Sequence, residues 1–266
     1  MSNDRYFETK QFRSLISFYN QQGNVDLGHV KVNLRLAKNW CISYILRIFR
    51  ILNLQSTDVF LDIGSGLYGY SVIEAARNNI RSIGIDVSIE NIKTANSLGK
   101  KVLGERFSFC NFILCSATNL PLRDHIMSKI SSIAVIEHVS DDEMAIKEMA
   151  RTLKKQGHVL IMVPNTYRRM PPIFSLLYKL QDRYVEHLRH YKAEDLSTQF
   201  STHGFSTINV FYISHIVKVL QVILCLVIKR LGKPNSRSWW KLEKIDNSLW
   251  RFPHGMGFLL HLKKPN

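Results

Sequence analysis

The chain has 266 residues, 45% of them hydrophobic and 21% charged, which suits one large globular domain or one domain with an elaboration. Its formal net charge of +15 is typical of contact with nucleic acid, an anionic lipid surface or an acidic substrate, or simply of a basic host proteome. No RNA-binding motif accompanies the charge, so a membrane surface ranks above nucleic acid.

The cysteines and histidines show no metal-ligand spacing, so no metal site is predicted. The N-terminus lacks a signal peptide's apolar run, so the expected location is the cytoplasm.

The first zone, residues 1–55, is predicted to be a helical cap. From Leu34 to Leu54 polar residues recur every three or four positions against an apolar face, which indicates a basic amphipathic helix. We expect this helix to pack against the core that follows it.

The second zone, residues 56–213, alternates short apolar runs with helical patterns. The runs predict strands at 58–63, 81–86, 107–115, 129–135, 158–164 and 205–213, with helices near 69–78, 88–100, 140–154 and 191–203. This alternation is typical of an α/β protein in which helices cover both faces of a parallel sheet. Ligands of such sheets bind beyond the carboxyl ends of the strands, where Asp62, Asp86, Ser116 and Glu137 fall.

The third zone, residues 214–266, contains an apolar segment, a basic stretch with tryptophans and a predicted final strand at 256–264. As a helix, the segment 214–231 would be about 27 Å long. The hydrocarbon core of a bilayer is ~30 Å thick. Together with its polar stripe, this length favours a core or interfacial helix over a membrane span.

A glycine-rich loop follows the first core strand. Gly64, Gly66 and Gly69 have the spacing G-x-G-x-x-G, which permits a tight turn and brings the backbone and the next helix N-terminus close to a ligand. Asp86 ends the next strand, 22 residues (86 − 64) after Gly64, where a carboxylate can accept hydrogen bonds from ribose hydroxyls. The loop therefore predicts a nucleoside ligand.

Asp62 distinguishes between nucleoside ligands. A pyrophosphate in the loop would be repelled by this carboxylate, at a cost of roughly 4 kcal/mol for like charges ~4 Å apart near a surface. S-adenosylmethionine (SAM) has no phosphate and carries an ammonium group, which suits Asp62 directly or through water. SAM is therefore favoured over NAD, and an NAD-dependent oxidoreductase remains the disfavoured alternative.

The motifs LDIGSGLYG, GIDVS, SATNLPL and AVIEHVSDDE, between about 58 and 165, resemble class I SAM-dependent methyltransferases of the type 11 group. The resemblance implies a Rossmann-like, three-layer, doubly wound sheet of seven strands, mostly parallel with the last strand antiparallel. It also implies ligand contacts, which are the methionyl part at Asp62, Gly64, Ser65 and Gly66, the ribose at Asp86, the adenine at Ser116 and Ala117, and the region of the methyl group at Ile136 to His138. The family usually has an acid at position 116 and F-D at positions 127–128, where this chain has Met-Ser.

Two places are candidates for the acceptor side. His138 follows the fourth strand and is predicted to act as a base or to position the acceptor; alternatively, Glu137 and His138 only cap the next helix or bind the loop. The segment EHLRHYKAEDL resembles the family's H-x-R-x-Y segment, which folds over the pocket. The resemblance implies that His187, Arg189 and Tyr191 contact acceptor or cofactor, while His190 points elsewhere. The alternative is a structural role in which Arg189 pairs with a nearby acid.

The sequence thus predicts a SAM-dependent methyltransferase with a small-molecule or lipid-linked acceptor. The lid 166–186 and the segment 214–231 mix apolar and basic residues, which fits an amphipathic acceptor at an anionic membrane surface. A solvated basic surface with ordinary core aromatics explains the same residues and remains the alternative. An RNA (tRNA) methyltransferase and a non-catalytic SAM-binding subunit remain the alternatives. The oligomeric state is not predicted.

Overall fold

The protein is described from a computed structural model. The structure describes residues 41–167, 187–213 and 251–266, the segments 24–26 and 31–33, and the single residues Ser175, Ile245 and Leu249. The predicted lid, 166–186, lies almost entirely outside these residues. The predicted helix at 214–231 lies wholly outside them. None of the helices within the described residues combines the length and the apolar character needed to cross a membrane.

The strands and helices of the described residues are labelled in chain order. The strands are β1 (Asn24–Asp26), β2 (Lys31–Asn33), β3 (Val59–Ile63), β4 (Arg81–Asp86), β5 (Cys110–Leu114), β6 (Met127–Ile133), β7 (Leu153–Pro164), β8 (Ser206–Ile213) and β9 (Gly257–Lys263). The α-helices are α1 (Cys41–Leu52), α2 (Tyr70–Arg77), α3 (Ile89–Leu103), α4 (Asp142–Thr152) and α5 (Ala193–Thr202). Two short 3₁₀ helices cover Gly104–Phe109 and Ile136–His138.

Strands β3 to β9 form one seven-stranded sheet in the order β5-β4-β3-β6-β7-β9-β8. Strand β3 pairs in parallel with β4 and β6, while β9 runs antiparallel to both β7 and β8. The predicted seven-stranded sheet with its last strand antiparallel is therefore confirmed. The carboxyl ends of β3, β4, β5 and β6 meet at one edge, which is where a ligand of such a sheet binds.

Helix α1 packs against the middle of the sheet. Its residues Ile45, Phe49 and Leu52 are buried in a cluster with Phe60 of β3 and Leu160 of β7. Burial of each such side chain contributes about 1.5–3 kcal/mol relative to exposure. The described part of the predicted helix from 34 to 54 thus packs on the core as expected.

The N-terminal zone is not helical throughout, which corrects the sequence prediction for residues 1–55. Strands β1 and β2 pair antiparallel, from Asn24 opposite Asn33 to Asp26 opposite Lys31. Both segments, Asn-Val-Asp and Lys-Val-Asn, alternate polar and apolar residues with the period of two that suits a strand. The helical periodicity of 3.6 residues begins only at Leu34, so it gives no reason to expect a helix at 24–33.

Two boundaries also differ from the prediction. Residues 107–109 belong to the 3₁₀ helix Gly104–Phe109, so β5 begins only at Cys110. Strand β7 begins at Leu153 and so reaches back beyond the predicted start at 158. In this long strand, Gln156 takes a positive φ of 62° and Gly157 follows it. Turn-like residues of this kind hide the start of a strand from pattern recognition.

Candidate functional site

A cavity of about 480 Å³ opens at the carboxyl edge of the sheet. Its walls come from the ends of β3, β4, β5 and β6 and from the loops that follow them. The lining residues are Ile63, Gly64, Gly66, Ile85, Asp86, Val87, Cys115, Ser116, Ala117, Thr118, Ala134, Val135, His138, Val139 and Ser140. Six of the sequence-predicted site residues belong to this lining, and Asp62, Ser65, Ile136, His187 and Tyr191 do not.

The start of the glycine loop is fixed by the protein itself. The backbone N–H groups of Gly64 and Ser65 both donate to the carbonyl of Ile85, at 2.9 and 2.8 Å. Gly64 has a φ of +73°, and a Cβ added there would lie 2.3 Å from a methyl group of Val135. A side chain at this position would therefore force apart the ends of β3 and β6.

Asp86 is locked to the same loop. Its carboxylate accepts hydrogen bonds from the N–H of Gly66 at 2.9 Å, the N–H of Ser88 at 2.9 Å and the side-chain amide of Asn91 at 3.1 Å. A carboxylate held by three donors stays in one orientation at the cavity wall, which suits it to hydrogen-bond a ligand. The sequence predicted Asp86 as a site residue but not Ser88 and Asn91. In the sequence these two residues indicate only the start of a helix, and their hydrogen bonds to Asp86 become visible in the structure.

Asp62 lies below the loop, where it is 6% exposed. The hydroxyls of Ser71 and Ser131 donate to its two oxygens. Burial raises the pKa of Asp62 from 3.8 to about 6, although the hydrogen bonds from Ser131 and Ser71 oppose the rise. In the structure both oxygens of Asp62 accept serine hydroxyls. Its contact with a ligand ammonium group therefore stays a prediction.

Two features of the loop fit the amino-acid end of SAM. The hydroxyl oxygen of Ser65 is buried and has no hydrogen-bond partner among the described residues. Helix α2 begins after Gly69, which has a φ of 56° and provides no side-chain cap. The uncapped helix N-terminus is suited to bind a carboxylate. The Ser65 hydroxyl would reach a ligand only after rotating out of its buried position, because Ser65 does not line the cavity.

The far end of the cavity is formed by the residues after β5. The hydroxyl of Ser116 lies 2.8 Å from the Thr118 hydroxyl and accepts the N–H of Thr118 at 3.2 Å, so it shapes the loop. Ala117 is 6% exposed and presents a small apolar surface. Burial raises the pKa of Cys115 to about 11, so its thiol remains neutral and is a weak nucleophile.

The 3₁₀ helix Ile136–His138 divides its residues between core and cavity. Ile136 is fully buried in the core, whereas His138 is exposed and lines the cavity. Helix α4 is capped by Asp141, whose carboxylate accepts the N–H of Met144 at 2.8 Å. The N-cap residue of that helix is therefore Asp141 and neither Glu137 nor His138. Burial raises the pKa of Glu137 to about 7.

The segment 187–191 packs against this turn. The hydroxyl of Tyr191 donates to Asp142 at 2.7 Å, and the guanidinium of Arg189 pairs with the same carboxylate at 2.6 Å. Burial and the neighbouring Asp142 raise the pKa of Tyr191, so its hydroxyl stays protonated. Arg189 thus pairs with a nearby acid, which was the alternative to a ligand contact in the sequence analysis. Tyr191 anchors the segment through its hydrogen bond to Asp142. Asp142, which sequence reasoning treated only as a helix-start residue, is the centre of this anchor.

A chain of rings extends from the cavity along the same segment. The ring of His187 lies 5.0 Å from that of His138 and 5.6 Å from that of His190. Tyr167 continues the chain, at 4.3 Å from His190. The structure therefore brings His138 and His187 together and adds two aromatic neighbours that the motif alone did not indicate.

The chain is similar to methyltransferases over part of its length. Residues 61–161 match the family model for the methyltransferase domain. Norajmaline N-methyltransferase from Rauvolfia serpentina is 34% identical over 113 residues, which cover 42% of this chain and 37% of that protein. A probable tRNA methyltransferase 9B from Bos taurus is 33% identical over 105 residues, covering 38% of this chain and 20% of that protein. The chain thus spans less than half the length of these curated relatives.

Solved structures match over most of the chain. YcgJ from Bacillus subtilis superposes with a TM-score of 0.58 at 18% identity, over 85% of this chain and 99% of that one. Geranyl diphosphate methyltransferase in complex with SAM gives a TM-score of 0.60 at 14% identity, over 84% of each chain. These likenesses show a shared fold. Residues 61–161 match the methyltransferase domain model, and the described residues share the fold of these neighbours.

Proposed function

We propose that the protein is a methyltransferase that uses SAM as its methyl donor. The observation that carries this proposal is the cavity at the carboxyl ends of β3 and β4, in which Asp86 is tied to the N–H of Gly66. This arrangement presents an acceptor for ribose hydroxyls and a closely approaching backbone on the same wall. The family match of residues 61–161 supports the same function.

The residues present fit the parts of SAM in order along the cavity. Gly64, Ser65 and Gly66 would hold the amino-acid end, with the negative charge of Asp62 below them balancing the ammonium group. Asp86 would hold the ribose, and the segment Ser116–Ala117 would hold the adenine. When bound, SAM supplies a methyl group on a sulfonium, which makes it a strong donor without further activation by the protein.

The protein's own contribution is position, exclusion of water and proton handling. His138 lines the cavity, and the ring of His187 lies next to the ring of His138. A ring nitrogen of either histidine can therefore accept a proton from an acceptor hydroxyl. An amine acceptor in its neutral form needs no such base. Tyr191 and Arg189 hold this segment in place through Asp142 and are positioning residues.

A small organic molecule is the proposed acceptor. The support is the set of rings next to His138 at the edge of the cavity and the small-molecule N-methyltransferase among the relatives. RNA is a second candidate, supported by the net charge of +15 and by the tRNA methyltransferase relatives. A lipid-linked acceptor rests on basic and apolar segments outside the described residues, and co-sedimentation with anionic vesicles tests it.

The experiment that tests the proposal has two stages. Calorimetry first measures binding of S-adenosylhomocysteine (SAH), and absence of binding would refute the proposed function. SAM carrying a labelled methyl group is then incubated with fractionated host extract and the protein. We expect label in the small-molecule fraction; label in RNA would favour the second candidate. Binding of SAH without transfer to any fraction would indicate a non-catalytic SAM-binding subunit.

A further inference from the structure

Three potential metal ligands meet where the end of β6 approaches the segment 187–191. Glu137 and His138 are neighbours on the 3₁₀ helix Ile136–His138, and His187 comes from a distant part of the chain. One ligand atom of each of these three side chains lies within 4.8 Å of the others. Because the three residues are not spaced as a metal motif in the sequence, only the fold brings them together.

The two chain segments are held together without any bound ion. The N–H of Leu188 donates to the carbonyl of Glu137 at 3.0 Å. Arg189 reaches across to the carbonyl of Ser140 at 2.8 Å and to the carboxylate of Asp142 at 2.6 Å. The backbones of the two segments are therefore fixed relative to each other in advance, which reduces the entropy lost on binding an ion.

The second observation concerns the carboxylate of Glu137. This residue is 1% exposed, and within the described part of the chain its Oε2 atom has no hydrogen-bond partner. A buried carboxylate costs several kcal/mol unless it is paired, hydrogen-bonded or bound to a metal. Backbone N–H groups of Val135 and Glu137 hydrogen-bond this carboxylate, but its Oε2 atom is left without a partner among the described residues. One oxygen of the carboxylate also lies within 4.8 Å of a ring nitrogen of each histidine.

We propose that Glu137, His138 and His187 form a binding site for a divalent transition-metal cation such as Zn²⁺. Two imidazole nitrogens and one carboxylate oxygen are a ligand set that zinc accepts with one position left open. For ligands ~2.1 Å from the ion in a tetrahedral site, the ligand atoms lie about 3.4 Å apart. The observed separation of up to 4.8 Å closes by rotation of the exposed His138 and the half-buried His187.

The location gives the cation a function. His138 also lines the cavity, so the open position of the ion faces the place where an acceptor would lie. There it binds a hydroxyl or carboxylate oxygen of the acceptor and stabilises negative charge on it. With the ion bound, His138 is a ligand and no longer a base. This role, unlike metal binding itself, rests on the proposed function.

Metal binding is tested by calorimetry with Zn²⁺ on tag-free protein that has been stripped with a chelator. We expect one ion per chain and at least ~100-fold weaker binding in Glu137→Gln and His187→Ala, because loss of mere outer-shell partners already costs ~10- to 100-fold. The matched control is His203→Ala, since His203 lies 3.9 Å from Glu143 in another histidine–glutamate pair. This control should bind Zn²⁺ as the unmodified protein does.

Folding and cofactor binding are measured on the same samples. Glu137→Gln should unfold at the same temperature as the unmodified metal-free protein or higher, because a neutral amide is cheaper to bury than a charged carboxylate. All variants should still bind SAH, so failure of the metal site and failure of the proposed function are separate results. Absence of stoichiometric Zn²⁺ binding would overturn the proposal, and so would Zn²⁺ binding by Glu137→Gln and His187→Ala that is as tight as that of the unmodified protein.

Discussion

Replacement of Asp62 by asparagine should stabilise the ligand-free protein while weakening ligand binding. The substitution keeps the size of the side chain, and the oxygen and amide group of the asparagine can still bond the hydroxyls of Ser71 and Ser131. The change removes a buried charge whose pKa is raised from 3.8 to about 6. At 1.36 kcal/mol per pKa unit, that rise corresponds to ~3 kcal/mol of stability.

The sign of the pH effect follows from proton uptake. Between pH 3.8 and about 6 the folded protein retains the proton on Asp62 while the unfolded chain has lost it. The free energy of unfolding therefore falls through this group as the pH rises across that window, and stays low above it. The Asp62→Asn variant has no titrating group at this position, so its stability does not fall in this way. The difference in the free energy of unfolding, variant minus unmodified protein, should therefore grow by about 2–3 kcal/mol from pH 4 to pH 7.

Urea denaturation at several pH values measures the stability, and calorimetry with SAH measures the binding. The loss of an interaction with a charged group, ~1.5–3 kcal/mol, should weaken SAH binding by roughly 10- to 100-fold. Asp58→Asn is a matched control, because Asp58 immediately precedes the same strand and also accepts a serine hydroxyl, that of Ser128. This control should leave SAH affinity unchanged. A pH-independent stability difference for Asp62→Asn would contradict the burial argument, and unchanged SAH affinity would contradict the role of Asp62.

Three further predictions concern the loop, the anchor and the charge. Gly66→Ala should abolish SAH binding, whereas Gly104→Ala should not, although both glycines have positive φ and open space for a Cβ; equal effects on calorimetry would show that backbone strain alone is responsible. Tyr191→Phe removes the hydrogen bond to Asp142 and should cost ~1 kcal/mol in denaturation, with little change in SAH affinity; a large loss of turnover at unchanged stability would instead mean that Tyr191 touches the acceptor. If RNA is the acceptor, its binding should weaken steeply with salt in filter-binding assays, and salt-independent binding would exclude that role.

Much of the sheet and of the cofactor side was determined locally. Asp62 near the end of β3, the glycines at 64 and 66, and Asp86 at the end of β4 fall within 25 residues (86 − 62 + 1), and each is specified by its own short pattern. Residues at the carboxyl ends of neighbouring parallel strands must meet, so sequence order alone places them around one cavity. The antiparallel pairing of β1 with β2 was not predicted, because an alternation over only three residues is too short to distinguish a strand from other structure.

The acceptor side was decided by contacts between distant parts of the chain. Asp142 joins Tyr191 and Arg189 across almost fifty positions of sequence, and this anchor places His187 beside Glu137 and His138. No local pattern encodes such a meeting, because hydrogen bonds and ion pairs depend on where packed segments come to rest. The burial of Asp62 and Glu137, and so their raised pKa values, is likewise a property of the folded molecule: desolvation exists only once the surrounding chain has excluded water.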